Sequence, residues 1–308
     1  MRTVTSPTQP SQPFDLAAAA FATLASTFFD EDGVPVPFAL RDKLNTQDDP
    51  FDEFVGQVLD RQLPDEIKVI TSGKPLVSPD LVVARPEESR LLIRGGTDLD
   101  SRRIAAIEVK KVNADVSGRA ARGSGIDYNS TPPCQTVKVE AADGSLLRIP
   151  AFYLFVVLAP LDDQQVVKTL ALVSGAVLNR DTDLYDAAVG QRQKRIGLGS
   201  YRDGLDRQRP MFVFANPLGW DWLAGTATLI HSDPTLEDEQ PMERVREVVR
   251  LEFVGHELAD ESVPHSFWCY RLRNMNHGAT EPTATEPFPR PAKRSANTTP
   301  RGRFQIKL

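Results

Sequence analysis

Ser78-Pro79-Asp80-Leu81-Val82-Val83 and Ile107-Glu108-Val109-Lys110-Lys111-Val112 are the two stretches on which the reading of this chain turns. Val82, Val83, Ile104 and Ile107 are strand-forming residues, and an extended strand sends successive side chains to opposite faces. Glu108 and Lys110 therefore share one face, while Val109 and Lys111 turn to the other. Asp80 opens the first apolar run. If the two strands pair, Asp80, Glu108 and Lys110 converge on one point. In the spacer, Arg85-Pro86-Glu87-Glu88-Ser89-Arg90 reads as a charged turn, Leu91-Leu92-Ile93 as a strand and Gly95-Gly96 as a loop. The expected order is strand, turn, strand, loop, strand, which brings the two segments side by side.

Two carboxylates beside an ammonium group suit magnesium, a water molecule and a phosphate, because the metal offsets phosphate charge and acidifies the water. Taken singly the parts are common: Glu-x-Lys is ordinary charge alternation on a half-exposed strand, and Pro-Asp is an ordinary turn. Together they resemble the Pro-Asp…Glu-x-Lys signature of the restriction-endonuclease-like, or PD-(D/E)xK, nucleases. Residues 125–134, 196–201 and 209–217 are similar in wording to bacterial type II restriction endonucleases of that superfamily. The resemblance spans roughly residues 50–220.

The resemblance implies an α/β fold with a mixed central β-sheet flanked by α-helices. It implies sequence-specific cleavage of double-stranded DNA by metal-dependent phosphodiester hydrolysis. Asp80 and Glu108 would hold Mg2+, and Lys110 would orient and help deprotonate the attacking water. Such nucleases often carry a further carboxylate on a preceding helix, and Glu53 is the candidate. Cutting both strands of a symmetric site calls for a homodimer, or a tetramer. A cognate DNA methyltransferase would be a functional partner, not a physical one.

At 308 residues, 41% hydrophobic and 25% charged, the composition is that of a globular protein with an ordinary core. One domain over 14–277 is expected, after a flexible polar N-terminus at 1–13 and before a Pro/Thr-rich basic tail at 278–308. No stretch is apolar and long enough for a membrane span, and 1–13 lacks a secretory signal pattern, so a cytoplasmic, intracellular setting is expected. Two cysteines make no disulfide framework. Histidine spacing makes no zinc site, and neither a Walker lysine nor a nucleophile elbow appears. The net charge of -6 is unevenly spread, acids gathering at 30–66 and 233–247 and bases elsewhere. DNA senses the local patch, so the sum does not exclude it.

Helices are expected over 14–29, from the Asp49-Pro50 cap to about Gln62, over 184–195 and over 243–252. Buried strands are expected at 152–158, 166–173 and 211–215, a hairpin at Asp143-Gly144, and a late strand at 266–272. The basic, glycine-rich loop 117–125 follows the Glu-x-Lys strand and is expected to meet phosphates or a groove. Arg119, Arg122, Asp127, Tyr128, Asn129, Gln135, Lys138, Arg195, Tyr201 and Arg202 carry side chains suited to base edges or phosphates. The same core also serves modification-dependent and structure-specific endonucleases, and a noncatalytic DNA-binding protein is the rival of a different class.

Overall fold

The computed structural model describes residues 15–45, 48–71, 78–94, 102–121, 125–129, 131–190, 199–200, 208–209, 211–238, 241–253, 262–276 and 284–289. Two helices open the chain, α1 (Leu16–Phe28) and α2 (Pro50–Gln62). Asp15 caps α1 by accepting from the Ala17 and Ala18 amides at 2.8 and 3.0 Å. Asp49 caps α2 in the same way, with Pro50 in the first turn, where its missing N–H costs nothing. Strands β1 (Lys68–Thr71) and β2 (Leu81–Ala84) follow, then α3 (Pro86–Arg94) and β3 (Ile104–Asn113). Next come β4 (Gly125–Asn129), β5 (Thr136–Glu140), β6 (Leu146–Leu161) and β7 (Gln164–Ser174). The short helices α4 (Gly175–Leu178) and α5 (Thr182–Gly190) precede β8 (Gly199–Ser200), β9 (Gln208–Arg209) and β10 (Met211–Ala215). The last strands are β11 (Ala227–His231), β12 (Met242–Phe253), β13 (Ser262–Leu272) and β14 (Thr285–Pro287).

Ten of these strands form one mixed sheet in the order β1-β2-β3-β6-β7-β11-β13-β12-β14, with β5 also on β6. The pairs β3–β6, β7–β11 and β12–β14 are parallel and the other pairs in this order antiparallel. The sheet therefore divides two cores. Leu81, Val83, Ile107, Val109 and Leu154 face α1 and α2 in the first. Val82, Ala106, Tyr153, Phe155 and Val173 face the β5–β6 hairpin, α4 and the Trp220 region in the second. Phe28 of α1 seats against Phe38 and Phe51 with ring centroids 5.1 and 5.8 Å apart, which joins the two helices to the loop before α2. This is the mixed α/β class expected from the sequence.

Two expectations about elements are corrected. Residues 91–93 belong to α3 and not to a strand. Pro86 at the first position and Glu87 and Glu88 in the first turn are helix-start signals, and the Ser89 amide donates to the Arg85 carbonyl at 2.9 Å. Residues 243–252 form β12, not a surface helix. A bulge between Arg244 and Arg246 shifts the alternation, so Val245 and Val248, three apart, both face the second core. That spacing imitates a helix. The expected strand at 211–215 is β10, which pairs with β4 in a separate two-stranded sheet. Expected helix 184–195 is present as far as Gly190, and 191–195 lie outside the described residues.

Past residue 277, β14 adds a short strand to the sheet edge beside β12. Glu286 accepts from Trp222 Nε1 at 2.7 Å and pairs with Arg246, whose guanidinium lies 4.8 Å from the Trp222 ring centre. Trp220 and Trp222 pack on each other, as expected, at 5.2 Å.

Gly175 sits where β7 turns into α4. A Cβ there would lie 2.0 Å from the Cys134 carbonyl oxygen and 3.0 Å from that of Ala151. Because both obstacles are backbone, Gly175→Ala should destabilise the protein by about 1–3 kcal/mol, read as a lower midpoint in urea denaturation.

Candidate active site

Leu81 pairs with Ile107 in the antiparallel β2–β3 ladder, so Asp80, one step before, comes opposite Glu108. Asp80 Oδ2 accepts from the Val109 amide at 2.7 Å, which locks the carboxylate onto the end of β3. Lys110 Nζ donates to Glu108 Oε1 at 2.7 Å along the same strand face. The three residues singled out in the sequence thus meet, and the alternation that puts them on one side is the one that buries Ala106 beneath them. Glu108 also lies beside Tyr153 of β6 in the parallel register. The Tyr153 hydroxyl accepts from the Cys134 amide at 3.0 Å, and complete burial pushes its ionisation well above the usual range.

Lys111 faces the opposite side, as the alternation requires. Its ammonium pairs with Asp49, whose Oδ1 also accepts from the Phe51 amide at 3.1 Å as the cap of α2.

Glu53, the helix carboxylate proposed from the resemblance, is placed elsewhere. It is exposed and held by Arg41, with Nε 2.8 Å from Oε2, while Arg41 also grips Asp48 at 2.6 Å. The residue before it takes the place next to the site. The Asp52 carboxyl is half-buried, and its charged neighbours are Asp80, Asp49, Lys111 and Lys110. A periodicity signal for this was present: Asp52 precedes Val55 by three residues and Leu59 by seven, so it shares the buried face of α2. Glu53 precedes Gln57 by four, on the wet face, and accepts from it at 3.1 Å.

Four carboxyls, of Asp49, Asp52, Asp80 and Glu108, thus crowd two ammonium groups, of Lys110 and Lys111. Full ionisation would leave two negative charges in excess in a poorly hydrated place. Burial, then the Asp80 charge, push Asp52 up to about 8. Burial and the Glu108 charge also raise Asp80, against the pull of the Val109 amide and Lys110. For Lys110 burial opposes the charge, but Glu108, with Asp80 and Asp52 behind it, wins and holds the ammonium above its ordinary value.

Among the described residues no group of three or more histidine, cysteine, aspartate or glutamate side chains is arranged to hold a metal ion. Asp80 and Glu108 offer two. Magnesium fits such a pair, since it takes one or two carboxylates and completes its shell with water and phosphate oxygens. Two features of the site agree. Glu108 Oε2 is buried with no hydrogen-bond partner, an acceptor in want of a cation. Carboxyls outnumber ammonium groups there, an imbalance that a bound cation would offset.

Among the described residues, those expected to contact DNA lie on several elements. Arg119 is exposed in the loop after β3, paired with Asp221 at 2.7 Å. Lys138 pairs with Asp186 at 2.9 Å. Gln135 is half-buried, and its backbone bridges Asn179 and Ala151 at 3.0 Å each. Asp127, Tyr128 and Asn129 lie on β4, opposite Val213, Phe212 and Met211 of β10. Arg122, Arg195, Tyr201 and Arg202 lie outside the described residues.

No family model matches the sequence, and no curated protein matches it significantly. Among solved structures the chain is similar to the restriction endonuclease BglI bound to its DNA recognition sequence, at 12% identity and a TM-score of 0.31. The match covers 65% of this chain and 81% of that one. A likeness so loose settles neither activity nor site, which stand on this chain's own geometry. No helix among the described residues is long and apolar enough to cross a membrane.

Asp52 gives a pH signature. Its folded-state pKa is raised, so the stability of its neutral form is complete below the ordinary value of 3.8 and is lost as pH rises through about 8. In chelator, urea melts of the wild type should show stability declining across that window. Asp52→Asn, which cannot ionise, should flatten the decline, and an unchanged slope would place the burden on another group.

Proposed function

We propose that this protein is a magnesium-dependent endonuclease that hydrolyses phosphodiester bonds in double-stranded DNA at specific sites, in the manner of type II restriction enzymes. The observation that carries the reading is the meeting of Asp80 and Glu108 across the β2–β3 ladder, with Lys110 on the same face and Glu108 Oε2 buried without a partner. Asp80 and Glu108 would hold the ion. When bound, magnesium polarises a phosphoryl oxygen and makes water a nucleophile near neutral pH.

The chain's own groups do the rest. The Val109 amide keeps Asp80 aimed at Glu108. Lys110 Nζ, held protonated by Glu108, donates to Oε1 and would carry its positive charge to the scissile phosphate and the attacking water. In that state it acts as a charge and a hydrogen-bond donor. It would stabilise the charge that builds on the phosphoryl oxygens, while the proton of the magnesium-acidified water leaves to solvent. Asp52, neutral at pH 7, adds no repulsion to an incoming phosphate. A two-fold assembly would bring a second copy of this centre to the other DNA strand. The proposed setting is the bacterial cytoplasm, beside a methyltransferase that protects the host site.

Incubation with unmethylated plasmid and phage DNA, with magnesium and with chelator, should yield discrete magnesium-dependent fragments whose ends define the site. A smear would replace site-specific with structure-directed or nonspecific cleavage. Absence of cutting by the folded protein would favour a modification-dependent enzyme or a noncatalytic binder. Lys110→Ala should lower single-turnover cleavage by at least about 10²-fold while leaving DNA retention on a gel in place. Glu53→Ala should cleave as the wild type does, since Glu53 is engaged with Arg41 at the surface.

A further inference from the structure

The pair formed by Lys111 and Asp49 does more than satisfy two charges. Asp49 stands at the entry of α2 and performs two tasks with one oxygen: Oδ1 accepts from the Phe51 amide and from the Lys111 ammonium. The Asp49 carbonyl accepts from the Glu53 amide at 3.4 Å. The first turn of α2 is thereby fastened, at its cap, to the strand residue that follows Lys110. Asp52 lies within that turn, and its carboxyl has Asp80 as its strongest charged neighbour. Behind the turn, Phe51 is fully buried against Phe28 and Phe38, so the helix is fixed from the apolar side as well. Phe51 sets the depth of the helix. Val55 and Leu59 set its buried face, and the cap holds the first turn, where a small rotation decides whether Asp52 or Glu53 faces β2.

We propose that Lys111 is a positioning residue of the active site, acting through Asp49 to hold the first turn of α2 so that Asp52 stands beside Asp80. The proposal rests on the nuclease reading for its catalytic consequence. Strand alternation alone assigns Lys111 to the wrong face and predicts that its loss does little. The clamp gives it an indirect part, smaller than that of Lys110 and transmitted through the helix.

Two measurements test this. Amide hydrogen exchange needs no substrate. In Lys111→Ala the Phe51 and Glu53 amides should exchange roughly tenfold faster or more, with the β6 and β7 amides unchanged. Lys111→Arg, which keeps the cation, should restore protection. Unchanged exchange at Phe51 and Glu53 overturns the clamp, whatever the protein does to DNA.

The second is a double-mutant cycle on single-turnover cleavage. Lys111→Ala should slow the chemical step roughly 10- to 100-fold with DNA affinity unchanged, as expected when a reacting group is misplaced by a fraction of an ångström to an ångström. Placed in an Asp52→Ala background it should add little further loss, because both substitutions remove the Asp52 side chain from beside Asp80. Leu229→Ala, a cavity in β11, serves as the control for lowered stability alone and should leave the rate constant of the folded fraction in place. Additive losses from Lys111→Ala and Asp52→Ala, or an equal slowing by Leu229→Ala, overturn the route through Asp52. Absence of cleavage by the wild type sinks the nuclease reading and the catalytic half of this proposal together, and the exchange data then decide the clamp on its own.

Discussion

An excess of buried negative charge at the junction of β2, β3 and α2 is the constraint around which this molecule is arranged. Carboxylates of Asp49, Asp52, Asp80 and Glu108 stand near only two ammonium groups. Removing charge from water is expensive, and like charges in a medium of low polarisability repel strongly. The protein meets that cost in three ways. It pairs Lys110 with Glu108 and Lys111 with Asp49, it gives Asp80 the Val109 amide, and it keeps Asp52 neutral near pH 7. A divalent cation would be a fourth. A site that tolerates unresolved charge in its free state is one prepared for a positively charged ligand.

The sheet is what makes the crowding durable. β3 lies between the short strand β2 and the long strand β6, and β6 and β7 form the buried centre of the protein. Residues on both faces of β3 are packed, Ile107 and Val109 on α1 and α2, Ile104 and Ala106 on the second core. Its last residues leave that cover, and there the polar pattern begins. Polar groups on a strand so supported lose little precision to motion. The two faces of β3 then differ: Glu108 and Lys110 pair on the face shared with Asp80, and Lys111 ties the other face to α2 through Asp49.

Errors in reading the sequence have physical causes at particular residues. Val245 and Val248 stand three apart because a bulge lies between Arg244 and Arg246, and a bulge leaves no mark in composition. Leu91-Leu92-Ile93 resembles a strand when read alone, but Pro86, Glu87 and Glu88 begin a helix that carries through it. Asp52 and Glu53 differ by about 100° of helix rotation, and only the apolar positions Val55 and Leu59 tell which of the two turns inward. β4 and β10, far apart in sequence, pair with each other and not with the large sheet, a choice made by long-range contact.

Local rules were enough to determine the caps at Asp15 and Asp49, the strand character of 81–84 and 104–113, and the shared face of Glu108 and Lys110. Each depends on a period of two or 3.6 residues and on side chains reaching their own neighbours. The tertiary structure alone decided that β2 pairs with β3 in the register setting Asp80 against Glu108. It also decided that α2 docks with Asp52 inward and that Lys111 reaches Asp49. These are meetings between residues 28 to 62 positions apart. Their geometry follows from how whole elements pack, since charge pairing over such distances is a consequence of the fold and carries no local signal.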